Sequence, residues 1–410
     1  MSFRNILKNL GPGLLYAGAA IGVSHLVQST RAGSDFGYSL IWAIIIANVL
    51  KYPFYEFGPR YAIATGKSLL SGYSSVGKWS VWLFFIMTLS TVFIIQAAVT
   101  IVTSGLAAYL FNIELPLWVT ASVLLAICIV ILTLGHYKLL DKIMKLIIVV
   151  LSITTIIALI FSFKLNTAKS IDFQQIFSFS NPEHVMFLIA LMGWMPAPLD
   201  ISVWHSIWTL EKNKERKQSL KESLLDFKIG FWGTLFLAIC FLMLGANTIY
   251  GTGITLSSNA IEFSKQLIGV YTQSIGNWAF YVIGIAAFTT MFSTTLTCLD
   301  AFPRVLNLTT KELFGNKNEA NDKGYWIWIL ITATGAVLVL SLFISNMKEM
   351  VDLATKISFL VAPVLAVLNY LSITNKNIPK SYQPSSFLKL LSLFGIVYLI
   401  GFSIYFLIYF

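Results

Sequence analysis

The 410-residue sequence is short of charge: only 11% of it is Asp, Glu, Lys or Arg, against about a quarter in soluble domains. Together with 57% hydrophobic residues and a mean hydropathy of +0.78, that shortage excludes a soluble globular protein. A single aqueous core could not hide so much apolar surface, whereas a bilayer accepts helices of about 20 apolar residues each. Cysteine is scarce as well. Cys128, Cys240 and Cys298 sit inside apolar runs without CxxC or Cys/His spacing, which excludes a disulfide framework and a zinc site. No nucleophile–base–orienter set and no phosphate-binding glycine loop is present, so neither an enzyme nor a cofactor is expected. Residues 1–10 carry Arg4 and Lys8, run into a long apolar stretch and lack a small-residue cleavage site, so the first span is expected to be retained. No long linker or second domain interrupts the chain.

What the sequence does contain is apolar length. Eleven candidate membrane spans read out at about 11–34, 38–63, 80–111, 116–135, 143–163, 183–208, 228–249, 274–300, 325–345, 349–373 and 387–410. Small, polar and proline residues separate them, as in Ser180-Asn181-Pro182 and Asn377-Ile378-Pro379. Lysine and arginine fall unevenly between the two sides. With the N-terminus inside, the inward segments hold 21 of the 28 basic residues, and the outward ones hold only Arg31, Lys164, Lys169, Lys265 and Lys348. The positive-inside rule therefore predicts a cytoplasmic N-terminus and, with an odd span count, Phe410 outside. The net charge of +10 then reflects topology and contact with anionic lipid, without a nucleic-acid partner.

Ionisable residues inside the membrane are costly and point to function or to pairing. They are His25, Lys51, Glu56, Asp200, His205, Asp300, Asp352 and Lys356. Glu56 and Arg60 stand at i,i+4 and read as a satisfied pair near the interface, and Asp300 at the cytoplasmic end of the eighth span reads as a cap or gate contact to Arg304. Asp352 and Lys356 repeat the spacing, either as a structural pair or as part of a substrate or coupling site.

Two spans are interrupted. The first carries Gly11-Pro12-Gly13 and then Gly18-Ala19-Ala20-Ile21-Gly22-Val23-Ser24-His25. The sixth carries Gly193-Trp194-Met195-Pro196-Ala197-Pro198-Leu199-Asp200, whose prolines remove backbone donors at mid-membrane. Breaks at the first span of each five-span set point to an inverted-repeat transporter with its site at the breaks, the alternative being two ordinary proline or glycine kinks. Residues 11–163 and 183–373 would be the two repeats of a single 1–410 transporter domain, and 387–410 an additional eleventh span.

Leu10-Gly11-Pro12 with the glycine-rich break, Phe36-Gly37-Tyr38-Ser39-Leu40-Ile41-Trp42, Ala62-Ile63-Ala64-Thr65-Gly66 and Met195-Pro196 resemble the Nramp family of divalent-metal transporters. The resemblance implies an all-α polytopic membrane protein of the LeuT-type fold, with inverted five-helix repeats, about 11 transmembrane helices and alternating access. Departures accompany it. The family's Asp-Pro-Gly-Asn is Gly22-Val23-Ser24-His25 here, and its Met-Pro-His is Met195-Pro196-Ala197. Gln96 and Val99 stand at the acidic positions of its third span, its ninth-span arginine is missing, and Lys356 lies near its tenth-span glutamine. The substrate site is expected among Gly22, Ser24, His25, Met195, Ala197, Asp200 and Lys356. A metal would be held by the Met195 thioether, His25 and Asp200, with His205 a further nitrogen.

The expected function is an Nramp-like secondary transporter in a bacterial-type inner or plasma membrane. Its cargo is a small ion, with a divalent metal implied by the resemblance. The alternative is a transporter of the same fold for a non-metal small solute, with Lys356 in place of a coupling cation. Oligomeric state is not legible.

Overall fold

The computed structural model describes residues 11–135, 137–165, 177–315, 323–342 and 346–409. Among them the secondary structure is helical, without strands. Arg4, Lys8, Lys169 and Lys317, which contributed to the expected charge asymmetry, lie outside the described residues, as do the side chains of Lys138, Lys142 and Lys145.

The first span is α1 (Pro12–Ala20), a π-helical turn (Ser24–Ser29) and α2 (Thr30–Phe36). It is followed by α3 (Ile41–Thr65), the short α4 (Leu69–Val76), α5 (Lys78–Phe111), α6 (Leu117–Thr133) and α7 (Tyr137–Ser162). The sequence of shapes then recurs. A second interrupted span, α8 (Pro182–Gly193) and α9 (Ile201–Glu215), precedes α10 (Leu220–Thr248), the shorter α11 (Ala260–Ile275), α12 (Ala279–Phe314), α13 (Lys323–Leu342) and α14 (Met347–Ile373). An additional helix, α15 (Ser386–Tyr409), closes the chain. Each of the eleven expected spans is thus one helix or one broken helix. Several run further than apolarity alone suggested: α12 continues through Asp300 to Phe314 because Arg304 Nη2 and the Tyr325 hydroxyl both donate to Asp300 Oδ1, at 2.6 and 2.5 Å. The expected Glu56–Arg60 pair also forms, on α3.

Local chemistry sets the helix ends. Ser219 and Glu222 form a reciprocal capping box at the start of α10, and Asn259 and Asn346 accept backbone N–H groups at the starts of α11 and α14. Depth in the bundle varies widely. The apolar stretch of α12 is 78% buried and that of α15 only 22%, so α12 is a central post and α15 a peripheral helix. Phe394, Val397 and Leu407 of α15 are left exposed, as a lipid-facing surface requires. On the inside, α12 packs on α5, and α10 packs on both halves of the first span.

Glycine allows that last contact. A Cβ on Gly33 would lie 1.9 Å from the Leu242 carbonyl oxygen, and one on Gly245 would lie 2.5 Å from that of Thr30. At the other end of the span, Gly13 and Gly230 meet in the same way. Backbones in lipid approach this closely only over small residues. Gly33→Val should therefore destabilise the bundle by about 1–3 kcal/mol, the usual cost of overpacking. Thermal unfolding of the detergent-solubilised protein would register this as a lower Tm, whereas Gly233→Val, with nothing within 4 Å of its added Cβ, should leave Tm nearly unchanged.

Candidate functional site

In the first span the helix fails at Ile21, whose ψ of 79° leaves the helical region, and resumes as a widened turn at Ser24. Gly22 fits between α1 and α12 because it lacks a side chain: a Cβ there would lie 2.9 Å from Thr294 Oγ1. His25 points away from the break toward α10. Its Nε2 lies 3.0 Å from the Thr234 carbonyl oxygen, to which it can only donate. In a neutral ring Nδ1 is then the acceptor for Ser24 Oγ at 2.8 Å. Both ring nitrogens thus have a polar neighbour, and the single Ser24 hydroxyl proton also has the Ala20 carbonyl oxygen within reach, at 2.7 Å.

In the sixth span, α8 ends at Gly193 and residues 194–200 run non-helically to α9. Pro196 and Pro198 supply no backbone N–H, and the Met195–Pro196 peptide is cis. The carbonyls freed at this break are answered from α3. Lys51 Nζ donates to Met192 O at 2.6 Å and to Gly193 O at 2.9 Å, and the Tyr55 hydroxyl donates to Ala197 O. Trp194 Nε1 donates to Ser358 Oγ of α14 at 2.7 Å.

The two breaks face one another, with Ser24 Oγ 3.3 Å from the Pro196 carbonyl oxygen. Between them lies a cavity of about 20 Å³, room for one water-sized species. Ala20, Val23 and Ser24 line it from the first span, Trp194 and Pro198 from the sixth, Val99 from α5, and Thr294 and Cys298 from α12. Hydroxyls, a thiol and apolar groups make up this wall, and no charged side chain contributes.

The remaining expected residues lie around the cavity. Met195 is fully buried at the break but does not line the cavity. Ala197 contributes the carbonyl held by Tyr55. Asp200 is buried at the start of α9, and its Oδ1 has no hydrogen-bond partner. His205, one turn further on, is buried with an unpartnered Nδ1 and stacks on Tyr16 at 5.8 Å. Among the described residues, no three of His, Cys, Asp or Glu come together as a group that could hold a metal. Gln96 donates to Thr100 Oγ1 and to the Thr295 carbonyl, tying α5 to α12.

Lys356 departs from expectation. The Asp352 carboxylate bonds to Arg31 (2.7 and 3.3 Å) and to Gln28 (3.1 Å), so the expected Asp352–Lys356 pair is replaced by a bridge from α14 to the first span. An arginine fork meets a carboxylate in two places, where a lysine offers one point charge. Lys356 stands half-buried in the combined field of Asp352 and Arg31. Arg31 also lies over the Phe187 ring at 5.0 Å, so α2, α8 and α14 are closed together at this end. At the opposite end Asp226 of α10 accepts from Gly11 N and Gly13 N, at 3.1 and 2.8 Å, holding a carboxylate at the N-terminus of α1.

Lys51, Tyr55, Thr294, Cys298 and Arg31 were not singled out as site residues from sequence. Only Lys51 carried a signal, as an intramembrane cation without an acid one helical turn away. The burial of Cys298 beside the cavity makes a testable expectation. In a Cys128→Ser, Cys240→Ser background, Cys298 should react slowly with a membrane-impermeant thiol reagent. Asp352→Asn should speed the reaction from the Arg31 side, and Asp226→Asn from the Gly11 side, as read by mass spectrometry.

Residues 13–409 match the family model described as natural resistance-associated macrophage protein-like, Nramp. The chain is 35% identical over 400 residues to an uncharacterized protein of Pasteurella multocida (strain Pm70), covering 97% of this chain and 91% of that one. It is 23% identical to the divalent metal cation transporter MntH of Caldanaerobacter subterraneus subsp. tengcongensis, covering 93% and 88%. In structure it resembles a mutant of the manganese transporter of Eremococcus coleocola, with a TM-score of 0.72 at 13% identity over 98% of this chain and 86% of that one. It also resembles MhsT in complex with L-phenylalanine, with a TM-score of 0.64 at 15% identity over 95% and 98%. At these identities the structural likeness establishes the LeuT-type fold.

Proposed function

The chain belongs to the Nramp family, and from that premise we propose that it is an alternating-access secondary transporter whose cargo lodges between the two helix breaks. The observation that carries this reading is the cavity itself: two unwound backbone segments face each other around a space for one water-sized species. A space that small suits a dehydrated ion. The cargo we propose is a divalent metal cation, as the description of MntH in its relatives suggests. Its ligands would be the Ser24 and Thr294 hydroxyls, the Cys298 sulfur and break carbonyls, with the buried Asp200 supplying negative charge from behind and Met195 within reach once the site opens. Residues 11–163 and 183–373 are proposed as the inverted repeats and 387–410 as an addition. The Gly11 end is assigned to the cytoplasm of an inner or plasma membrane.

The uncharged cavity wall and the Lys51 amine at the sixth-span break favour a second reading, a small solute that is not a metal. Coupling discriminates further. Gln96 and Val99 cannot exchange protons, His25 is bonded at both ring nitrogens, and the half-exposed Lys356 lies in the field of Arg31 and Asp352. Asp200, with a buried and unpartnered oxygen, is the group placed to carry a proton.

Purified protein in liposomes, offered manganese, magnesium and an amino-acid panel under a pH gradient, tests the proposal. Manganese uptake driven by the gradient is expected in wild type. Asp200→Asn should lose most of the gradient dependence. Uptake of an amino acid with none of manganese would establish the second reading instead.

A further inference from the structure

A helix that stops inside a bilayer leaves carbonyl oxygens at its C-terminus carrying a partial negative charge, and in broken-helix transporters such ends coordinate the coupling cation. At the end of α8 those oxygens are already occupied. Lys51, 1% exposed on α3, places Nζ within 2.6 Å of Met192 O and 2.9 Å of Gly193 O. Among the described residues no acidic side chain forms an ion pair with it. A buried lysine held solely by the carbonyls of a helix terminus stands where a small cation would otherwise sit.

We propose that Lys51 is a tethered cation that permanently fills the C-terminal carbonyl seat of α8, in place of a mobile sodium or potassium ion. It follows that the sixth-span break needs no alkali cation to hold its shape. It also follows that a cargo entering the break meets the Ser24, Thr294 and Cys298 wall and finds the Met192 and Gly193 carbonyls already engaged. The inference depends on the broken α8 and on the Lys51 contacts, and not on the identity of the cargo.

The test is thermal unfolding of the full-length protein in detergent, in sodium, potassium or choline chloride at equal ionic strength. Wild type and Lys51→Arg should give the same Tm in all three salts. Lys51→Ala should unfold several degrees lower in choline and recover, saturably, in sodium or potassium, because the vacated carbonyls bind the ion. Lys51→Gln, which keeps a donor without the charge, is the second variant should Lys51→Ala fail to fold, and the same salt-dependent recovery is expected of it. A Tm for Lys51→Gln equal to wild type in choline would overturn the proposal, since a neutral donor would then suffice. Variants that no alkali cation rescues would overturn it as well, as would a saturable sodium effect on wild type that Lys51→Ala abolishes.

Discussion

A backbone that unwinds within a bilayer must find internal partners for its N–H and C=O groups, since lipid offers none and each unmet group costs several kcal/mol. This chain unwinds twice, and much of its interior can be read as the answer to that demand. Lys51 and Tyr55 of α3 serve the carbonyls of the sixth-span break, and Trp194 is anchored by Ser358. Thr294 Oγ1 reaches the Gly18 carbonyl, and Asp226 takes the first N–H groups of α1. The two prolines lower the demand at residues 196 and 198 by having no N–H to satisfy. What remains between the breaks is a small cavity walled by apolar groups, the Ser24 and Thr294 hydroxyls and the Cys298 thiol.

The same contacts define how the molecule could open. The first span is held to α10 along both halves by backbone approach over Gly13 and Gly230 at one end and over Gly33 and Gly245 at the other. Neither half can swing without leaving α10. At the Arg31 end the movement must also break a two-point charged bridge, and at the Gly11 end two hydrogen bonds to a carboxylate. Hydrogen bonds to charged groups contribute about 1.5–3 kcal/mol each. Free-energy differences of that size lie within what differential cargo binding can offset.

Most of the architecture was legible in the sequence because bilayer physics leaves few choices: apolar length sets the spans, and glycine and proline at mid-span set the breaks. The breaks appear where Gly22 and Pro196-Ala197-Pro198 placed them. The extents of α9 and α12 were less legible, since their polar continuations are held by tertiary bonds such as Tyr325 to Asp300. The site was legible only in outline. Ser24 lies on the cavity wall, and a lone histidine beside a break does not reveal that its ring nitrogens face Ser24 and Thr234. Charge spacing suggested an Asp352–Lys356 pair, and an arginine more than 300 residues away took the carboxylate instead. Lys51 was visible as a costly intramembrane charge, yet its partners are carbonyls, which no side-chain pattern announces.

Family membership and the retained Met195 point to a metal, while the lost carboxylate and the Lys51 amine point away from one. Under either reading the proposed cargo sits between the two breaks. Anomalous diffraction from crystals grown with manganese tests it most directly. The account predicts a manganese peak in the cavity bounded by Ser24, Thr294 and Pro198. A transported manganese ion whose peak lies outside that cavity, for instance against Asp300 or Glu56, would contradict it.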